Sequence, residues 1–323
     1  MQPAIRQRHM REPGLYGCGN KVSFQEVSNL SLLISDGAMV DSHTIGETTY
    51  VQSIDRVSDC SREPDLFAQM AIRHCINDVY AAGAEPFFVS ICFEFNSSST
   101  PADRAALSAA FFRAAHAKGL DVGKCHSVMH DDATSVVLST MGKKISDCGT
   151  SASVCGRGKL LLTKRIGYSK LLFMKEREGT SVAGMYPFMG GRLDPVPHPS
   201  IVRAMTDVSG FGLAGAAIAL AQRTTTDLNL ELDSTVMASA DVLGAPEPCM
   251  QNWIGDYSSE RTVIDESSWP IAGLRETCGP FLCMVDDQQI RENVNLYRDW
   301  LTVGFYSDGS GLTSIAMKQG CEK

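Results

Sequence analysis

The sequence predicts a mixed α/β protein of two domains, and three observations support this. The chain has 323 residues, and at roughly 100–200 residues per domain this length favours two domains. Hydrophobic residues make up 44% and charged residues 20% of the chain, values typical of a globular protein with a large core. Short β-rich runs alternate with segments whose apolar residues recur at helical spacing, as in α/β folds.

The predicted elements of the first half alternate between strands and helices. The β-rich run Thr48–Ile54 forms a strand that closes at Asp55. A helix is predicted from about Asp65 to Ala82, with Gly83 as its C-cap, because its apolar residues recur at helical spacing. The other predicted elements are strands at 30–40, 86–95, 122–125 and 135–141 and a helix at 101–118. Their order is β-β-α-β-α-β-β.

The second half is again predicted to be mixed α/β. We place the domain boundary within residues 142–158, which are rich in Gly, Ser, Lys and Cys. The predicted elements are strands at 159–163, 228–232, 281–285 and 313–317, a loop at 184–200, and helices that end near 222 and span 288–302. The chain thus divides into a flexible arm with a Cys/Lys loop (1–25), an N-terminal α/β domain (26–150) and a C-terminal α/β domain (151–323).

Charge and hydropathy exclude several classes of function. The formal net charge of −8 argues against a general nucleic-acid binder, which normally carries a basic face. No stretch approaches the roughly 20 apolar residues of a membrane span. The N-terminus is basic but has no apolar stretch, so it is not a secretory signal. We therefore expect a cytoplasmic protein, and an organelle-targeting role for the basic N-terminus stays open.

Eleven cysteines are present, and no two have Cys-x-x-Cys spacing, which argues against zinc-ribbon and thioredoxin-type sites. Most are expected to be reduced thiols. Cys18 stands in the loop Gly17-Cys18-Gly19-Asn20-Lys21, where a lysine favours the thiolate and the glycines allow movement. This loop is either a catalytic unit or a chance Cys-x-x-Lys in a cysteine-rich chain.

Four aspartates, Asp36, Asp55, Asp78 and Asp207, lie at the ends of apolar runs or within helical ones. Asp78 falls on the apolar helix, where an unpaired carboxylate is costly to bury. A divalent cation or a polar network could compensate its charge. The alternative is that each aspartate is a helix cap or a turn residue.

Two further patterns have a functional and a structural interpretation. The Gly-rich segment 206–215 precedes a helix and could bind phosphate through backbone N–H groups. Alternatively, its residues are small because the helix and strand pack closely. His126 and His130 lie near Asp131-Asp132, and either a metal site or loop and core roles would account for them.

The order of these motifs resembles the selenophosphate synthetases (selenide, water dikinases). That family belongs to the superfamily of aminoimidazole ribonucleotide synthetase, thiamine-monophosphate kinase and the hydrogenase-maturation protein HypE. The matching pieces, in order, are the Cys18/Lys21 loop, Asp36-Gly37-Ala38-Met39-Val40, Asp55, Ile76-Asn77-Asp78-Val79-Tyr80, Cys125-His126-Ser127, Lys159–Lys164 and Thr206–Gly212.

The resemblance implies a two-domain aminoimidazole ribonucleotide synthetase-like fold and synthesis of selenophosphate from selenide and ATP, with release of AMP and phosphate. It implies Mg²⁺ and ATP as cofactors, selenide as a partner, and a homodimer formed through the N-terminal domain. By resemblance, the catalytic residues are Cys18 and Lys21. The metal ligands would be Asp36, Asp55, Asp78 and Asp207. The cofactor-binding residues would be Asp55, Asn77, Asp78, His126, Ser127, Thr206, Gly210 and Gly212.

Two alternatives accompany this interpretation. Another ATP-dependent member of the superfamily would have the same fold and a different substrate. A non-catalytic paralogue would keep the fold and act as a structural subunit or binding module. Gly37, Lys124-Cys125 and Thr277–Pro280 differ from the family's pattern, and the first two of these differences favour the paralogue.

Overall fold

The first sheet has five strands and carries two helices on one face. The computed structural model describes residues 40–148, 154–242 and 261–318. The elements up to residue 144 are β1 (Asp41–Ile45), β2 (Thr48–Ser58), α1 (Pro64–Ala81), β3 (Ala84–Asn96), α2 (Pro101–Ala117), β4 (Asp121–His130) and β5 (Ser135–Lys144). The strand order is β1-β2-β5-β3-β4, in which β3 and β4 are parallel and the other pairs antiparallel.

The second sheet has seven strands in the order β7-β10-β6-β11-β8-β12-β9. Its strands are β6 (Gly158–Leu162), β7 (Ala204–Asp207), β8 (Thr226–Leu232), β9 (Thr262–Ile264), β10 (Phe281–Asp286), β11 (Leu301–Asp308) and β12 (Thr313–Met317). The helices are α3 (Tyr168–Glu178), α4 (Gly212–Thr224), α5 (Trp269–Ala272), α6 (Asp287–Glu292) and α7 (Val294–Tyr297). The predicted mixed α/β class is confirmed. None of the described helices is long and apolar enough to span a membrane.

Helix α1 forms the centre of the first core. Its buried residues Leu66, Phe67 and Met70 pack in one apolar cluster with the inward residues of the sheet. Pro64 occupies the first turn, where its missing N–H costs nothing. The helix ends as predicted near Gly83, whose φ of +76° is one that glycine adopts without strain.

Two predicted elements differ from the structure, and a third lies almost wholly outside the described residues. Strand β2 does not close at Asp55 but continues to Ser58, because its ladder with β5 continues to the pair Ser58–Ser135. The helix predicted at 288–302 is wrong: α6 ends at Glu292, α7 is a separate short helix, and Leu301 opens β11. The predicted strand at 30–40 lies outside the described residues, apart from Val40.

Helix α2 begins with a capping box that should contribute measurably to stability. The Thr100 side chain accepts from the Asp103 backbone N–H at 3.1 Å, and the Asp103 carboxylate accepts from the Thr100 N–H at 3.1 Å. We expect Thr100→Ala to lower the free energy of unfolding by about 1 kcal/mol in urea denaturation. Thr100→Ser retains the hydroxyl and is the control. Equal losses in both variants would contradict the capping role.

A buried ionic cluster joins α1 to the second half of the chain. Arg73 and Asp194 are both fully buried, with Arg73 Nη2 at 3.3 Å from Asp194 Oδ1, and Lys164 Nζ lies 2.9 Å from the same oxygen. Burial opposes ionisation of Asp194, but the charges of Lys164 and Arg73 hold its pKa below the ordinary value. The Cys278 thiol donates to Asp194 Oδ2 at 3.1 Å. The two sheets are therefore joined by paired charges as well as by apolar contacts.

A second polar contact holds the N-terminal end of α1. The buried Glu176 of α3 accepts from the Ser61 hydroxyl at 2.7 Å and from the Arg62 backbone N–H at 2.8 Å. Along the same helix, the Gln69 amide donates to the carbonyls of Tyr186 and Met189. The position of α1 against the second half is thus fixed at several points along its length.

Candidate nucleotide and metal site

Three of the predicted site residues, Cys18, Lys21 and Asp36, lie outside the described residues. The others divide into groups that the fold places at different points.

Asp55 and Asp78 lie together at the contact between β2 and α1. Residues two apart on a strand share a face, so Ser53 and Asp55 both point toward the helix. The Ser53 hydroxyl donates to Asp78 Oδ2 at 3.1 Å, and the Ser53 Oγ atom lies 3.4 Å from Asp55 Oδ2. One hydroxyl therefore lies between the two carboxylates. A polar network, one of the two compensations considered for Asp78, is present in the structure.

His74 and Cys75 extend this network on α1. His74 Nε2 lies 3.4 Å from Asp55 Oδ1, and the imidazole is almost fully buried. The Cys75 sulfur lies 2.7 Å from Thr140 Oγ1. Burial, and next the charge of Asp55, raise the pKa of the Cys75 thiol well above its ordinary value. This shift favours the neutral thiol form of Cys75.

Asn77 precedes Asp78 and is fully buried. Neither its amide nitrogen nor its amide oxygen has a hydrogen-bond partner among the described residues. A buried amide without partners costs roughly 1–3 kcal/mol, so this position favours a ligand or water that would satisfy it. The oxygen is also a donor of the kind that Mg²⁺ prefers.

Thr206 and Asp207 end strand β7, and both are almost fully buried. Helix α4 begins directly afterwards at Gly212. A Cβ atom at Gly212 would lie 2.8 Å from the Ala272 carbonyl oxygen, and φ there is +65°. The structure thus supports the packing interpretation for Gly212, while the binding roles of Thr206, Gly210 and Gly212 stay predictions.

Arg223, in the last turn of α4, contacts strand β7, which ends at Asp207. Its Nη2 donates to the Met205 carbonyl at 2.6 Å. Burial lowers the pKa of Arg223, and the charges of Asp78 and Asp207 act in the opposite direction. The charge of Arg223 also opposes the effect of burial on the buried Cys148, whose pKa is raised to about 12. The observed contact of the guanidinium is with the backbone of β7, the strand that ends at Asp207.

His126 and Ser127 lie elsewhere, on the exposed edge strand β4. Three strand spacings separate β4 from β2 in the sheet order, a distance of about 14 Å. His126 pairs in register with Cys92, and Ser127 with Phe93. Within one chain, the order of the strands therefore keeps His126 and Ser127 away from Asp55 and Asp78. His130, the other histidine considered, accepts from the Asp132 backbone N–H at 3.0 Å, a local loop role.

Whether a metal ion fits at the contact between β2 and α1 depends on the donor atoms of the residues there. Asp55, Asp78 and Asn77 offer the hard oxygen atoms that suit Mg²⁺. Within residues 40–148, 154–242 and 261–318, no group of three or more His, Cys, Asp or Glu side chains is arranged to hold a metal ion. The residues at the β2–α1 contact fit a magnesium ion by their chemistry, and Asp36 would have to come from the part of the chain that is not described.

Residues 35–143 match the family described as "AIR synthase related protein, N-terminal domain". Curated relatives of the chain carry the name selenide, water dikinase. One from Nitratidesulfovibrio vulgaris is 28% identical over 210 residues, which is 60% of this chain and 58% of the relative. One from Bdellovibrio bacteriovorus is 26% identical, over 66% of this chain and 68% of the relative.

The family match covers residues 35–143, and the chain is similar to the curated relatives at 23–28% identity. The predicted resemblance to the selenide, water dikinases is confirmed, at the low identity expected of a distant relative. The match to the first relative spans less than two thirds of that protein's length.

Solved structures of other proteins share the fold of this chain. Thiamine monophosphate kinase from Aquifex aeolicus superposes with a TM-score of 0.64 at 17% identity, over 91% of this chain and 96% of the other. The hydrogenase maturation protein HypE in complex with ATP gives a TM-score of 0.58 at 14% identity, over 97% and 89% of the two chains. At these identities the similarity establishes the fold.

Sequence reasoning missed four residues that border the site. Ser53 and His74 could have been found from spacing, since Ser53 is two residues from Asp55 on a strand and His74 is four residues from Asp78 on a helix. Cys75 could have been found in the same way, because it lies next to His74 on the same helix. Arg223 has no local signal, because only the packing of α4 against β7 brings it to the Met205 carbonyl.

Proposed function

We propose that this chain is an ATP-dependent phosphotransferase that makes selenophosphate from selenide and releases AMP and phosphate. The observation that carries the proposal is the shared name of its curated relatives, selenide, water dikinase, together with the fold. The grouping of Asp55, Ser53 and Asp78 supports it. A HypE structure of the same fold is an ATP complex, which supports nucleotide binding.

Phosphoryl transfer depends on positioning and on neutralising phosphate charge more than on covalent chemistry by the protein. Magnesium, when bound, would supply that neutralisation. Asp55 and Asp78 would hold the ion through their carboxylates, with Asn77 adding an amide oxygen. In this proposal Cys18 handles the selenium and Lys21 contacts a phosphate. Asp36 and Asp207 are the remaining metal ligands of the proposal.

A homodimer formed through the first sheet belongs to the same proposal. The face of this sheet opposite α1 carries exposed apolar side chains, with Ile54 69% and Phe87 38% exposed. Exposed apolar patches mark interaction surfaces. Since β4 is an edge strand far from β2 in its own sheet, a second copy would be needed for His126 and Ser127 to take part at Asp55 and Asp78.

The decisive assay measures the products. Purified full-length protein with ATP, Mg²⁺ and selenide under anaerobic conditions is expected to yield AMP, phosphate and selenophosphate, with the last detected by ³¹P NMR. The same reaction without selenide is the control. Conversion of ATP to ADP alone would favour another ATP-dependent activity of the superfamily over selenophosphate synthesis.

Nucleotide binding has a separate expected result. A non-hydrolysable ATP analogue with Mg²⁺ should raise the unfolding temperature, since a ligand that binds only the native state stabilises it by RT ln(1 + [L]/Kd). Asp78→Asn should remove most of this increase, because it deletes a charge from the carboxylate pair. Asp65→Asn, an exposed change on the same helix, is the matched control. An unchanged shift in Asp78→Asn would exclude Asp78 from the nucleotide site.

A non-catalytic paralogue is the second candidate. It is favoured by the absence, within the described part of the chain, of three or more side chains grouped around a metal position. A protein that neither binds the ATP analogue nor forms AMP would fit this candidate and not the first.

A further inference from the structure

A cavity of about 200 Å³ lies where the N-terminal ends of α1 and α2 meet the first sheet. Its lining includes Pro64 and Phe67 of α1, and Asp78 lies eleven residues beyond Phe67 in the same helix. At 1.5 Å per residue, this separation is about 16 Å along the helix axis. The cavity is therefore distinct from the carboxylates of the candidate nucleotide and metal site.

The interior of the cavity is apolar and aromatic. Phe67, Phe95 and Leu107 line it, and all three are buried. Behind the wall, the Phe93 ring stacks on Phe95 with the two centroids 5.5 Å apart. The Phe111 ring stands edge-on to Phe67, also at 5.5 Å. Since these contacts fix both lining rings, the cavity is formed before a ligand arrives. A cavity of about 150 Å³ holds benzene, so this one has room for one or two rings.

The partly buried Arg104 guanidinium lines the cavity and forms no ion pair with residues 40–148, 154–242 or 261–318. Its Nη1 donates to the Ser99 carbonyl and to the Ser99 hydroxyl, which is 3.2 Å away. Its Nε and Nη2 donate to no acceptor in the same part of the chain. The other arginine of the lining, Arg62, has its Nε 3.2 Å from Glu176 Oε2. The Nε–Nη2 edge of Arg104 is therefore open to an anionic group, which it can bind through two parallel hydrogen bonds.

The charges around the cavity favour a ligand with a single negative charge. Arg104 is the fourth residue of α2, and the positive end of the helix dipole also attracts an anion. Two carboxylates belong to the lining as well. Asp59 accepts from the Ser61 N–H at 3.3 Å, and Asp103 accepts from the Thr100 N–H at 3.1 Å. A doubly charged phosphate ester would be repelled by both carboxylates, so a monocarboxylate fits better.

We propose that this cavity binds a small aromatic carboxylate of one or two rings. The ring lies against Phe67 and Phe95, and the carboxylate accepts from the Nε and Nη2 of Arg104. The site uses no residue of the proposed phosphotransferase reaction, so it is a second ligand site and does not depend on the proposed function.

The test is isothermal titration calorimetry of the full-length protein with 2-naphthoate. Arg104→Gln should raise the Kd at least about tenfold, because the carboxylate loses its charged donors. Arg113→Gln alters an exposed arginine of the same helix, paired with Asp65 outside the cavity, and should leave the Kd unchanged. The uncharged 2-naphthamide should bind the unaltered protein at least about tenfold more weakly than 2-naphthoate.

A second pair of variants tests the cavity without changing a charge. Ala106 is an exposed residue of the lining, so Ala106→Trp should fold and should abolish binding by filling the cavity. Ala102→Trp alters an exposed residue of the same helix outside the lining and should bind as the unaltered protein does. This pair decides the question if Arg104→Gln does not fold.

Absence of binding to the unaltered protein, or full binding in Arg104→Gln or Ala106→Trp, would overturn the proposal. Displacement of 2-naphthoate by the non-hydrolysable ATP analogue with Mg²⁺ would also overturn it, because the probe would then occupy the nucleotide site. Failure to form selenophosphate would reject the proposed function and leave the result for this cavity unaffected.

Discussion

Replacement of Asp194 by alanine is expected to lower the free energy of unfolding by about 3–5 kcal/mol, the cost of leaving a buried charge without its partner. Asp194 is fully buried against Arg73 and Lys164. The variant would leave both cations inside the protein without this carboxylate. Their other neighbours include carbonyl groups, Pro195 for Arg73 and Phe188 and Cys278 for Lys164, and one aromatic ring each. Urea denaturation followed by circular dichroism measures the loss.

The matched control is Asp65→Ala on α1, the helix that carries Arg73. Asp65 pairs with Arg113 at 2.6 Å, but both side chains are more than half exposed. Solvent screens such a pair, so its loss should cost less than about 1 kcal/mol. Similar losses in the two variants would show that Asp194 is not a structural charge partner.

The pH dependence of stability gives an independent check on Asp194. Its folded pKa is depressed, so its contribution is fully present above the unfolded pKa of about 3.9 and is lost as the pH falls through the folded value. The unaltered protein should therefore lose this contribution below about pH 4. Asp194→Ala should show a correspondingly smaller loss over the same range, and an identical acid profile would contradict the role.

The fold was predictable wherever local pattern and tertiary context agree. Helix α1 and strand β12 match their predictions closely, because each shows a regular apolar period bounded by clear breaks. The helix predicted at 288–302 failed because Asn293 interrupts it with a non-helical backbone and because Leu301 pairs with Leu162 of β6. Strand pairing over such a sequence separation leaves no signal in a local window.

The site was predictable only in part, for a related reason. Asp55 and Asp78 belong to recognisable segments, and the structure brings them to one hydroxyl. Arg223 reaches strand β7 only through the packing of α4 against that strand, so no motif could indicate it. His126 is the opposite case. A motif indicated it as a site residue, but the sheet order places it on an edge strand distant from Asp55.

Cys18→Ser is expected to reduce selenophosphate formation by at least about 100-fold, the low end of what one reacting side chain contributes. The proposal assigns the selenium to this sulfur, and a hydroxyl is a far weaker nucleophile. The carboxylates proposed to bind the nucleotide lie on other elements, so the thermal stabilisation by the ATP analogue should persist. Cys155→Ser, which alters an exposed cysteine, should keep full activity.

The two readouts together separate chemistry from folding. Loss of product with retained nucleotide stabilisation assigns Cys18 to the reaction, whereas loss of both would indicate a structural role. Full activity in Cys18→Ser would mean that Cys18 and Lys21 form a chance Cys-x-x-Lys. Lys21→Ala should likewise lose product, and Lys21→Arg should recover part of it, because the proposed task of Lys21 is to place a positive charge beside phosphate and either side chain supplies one.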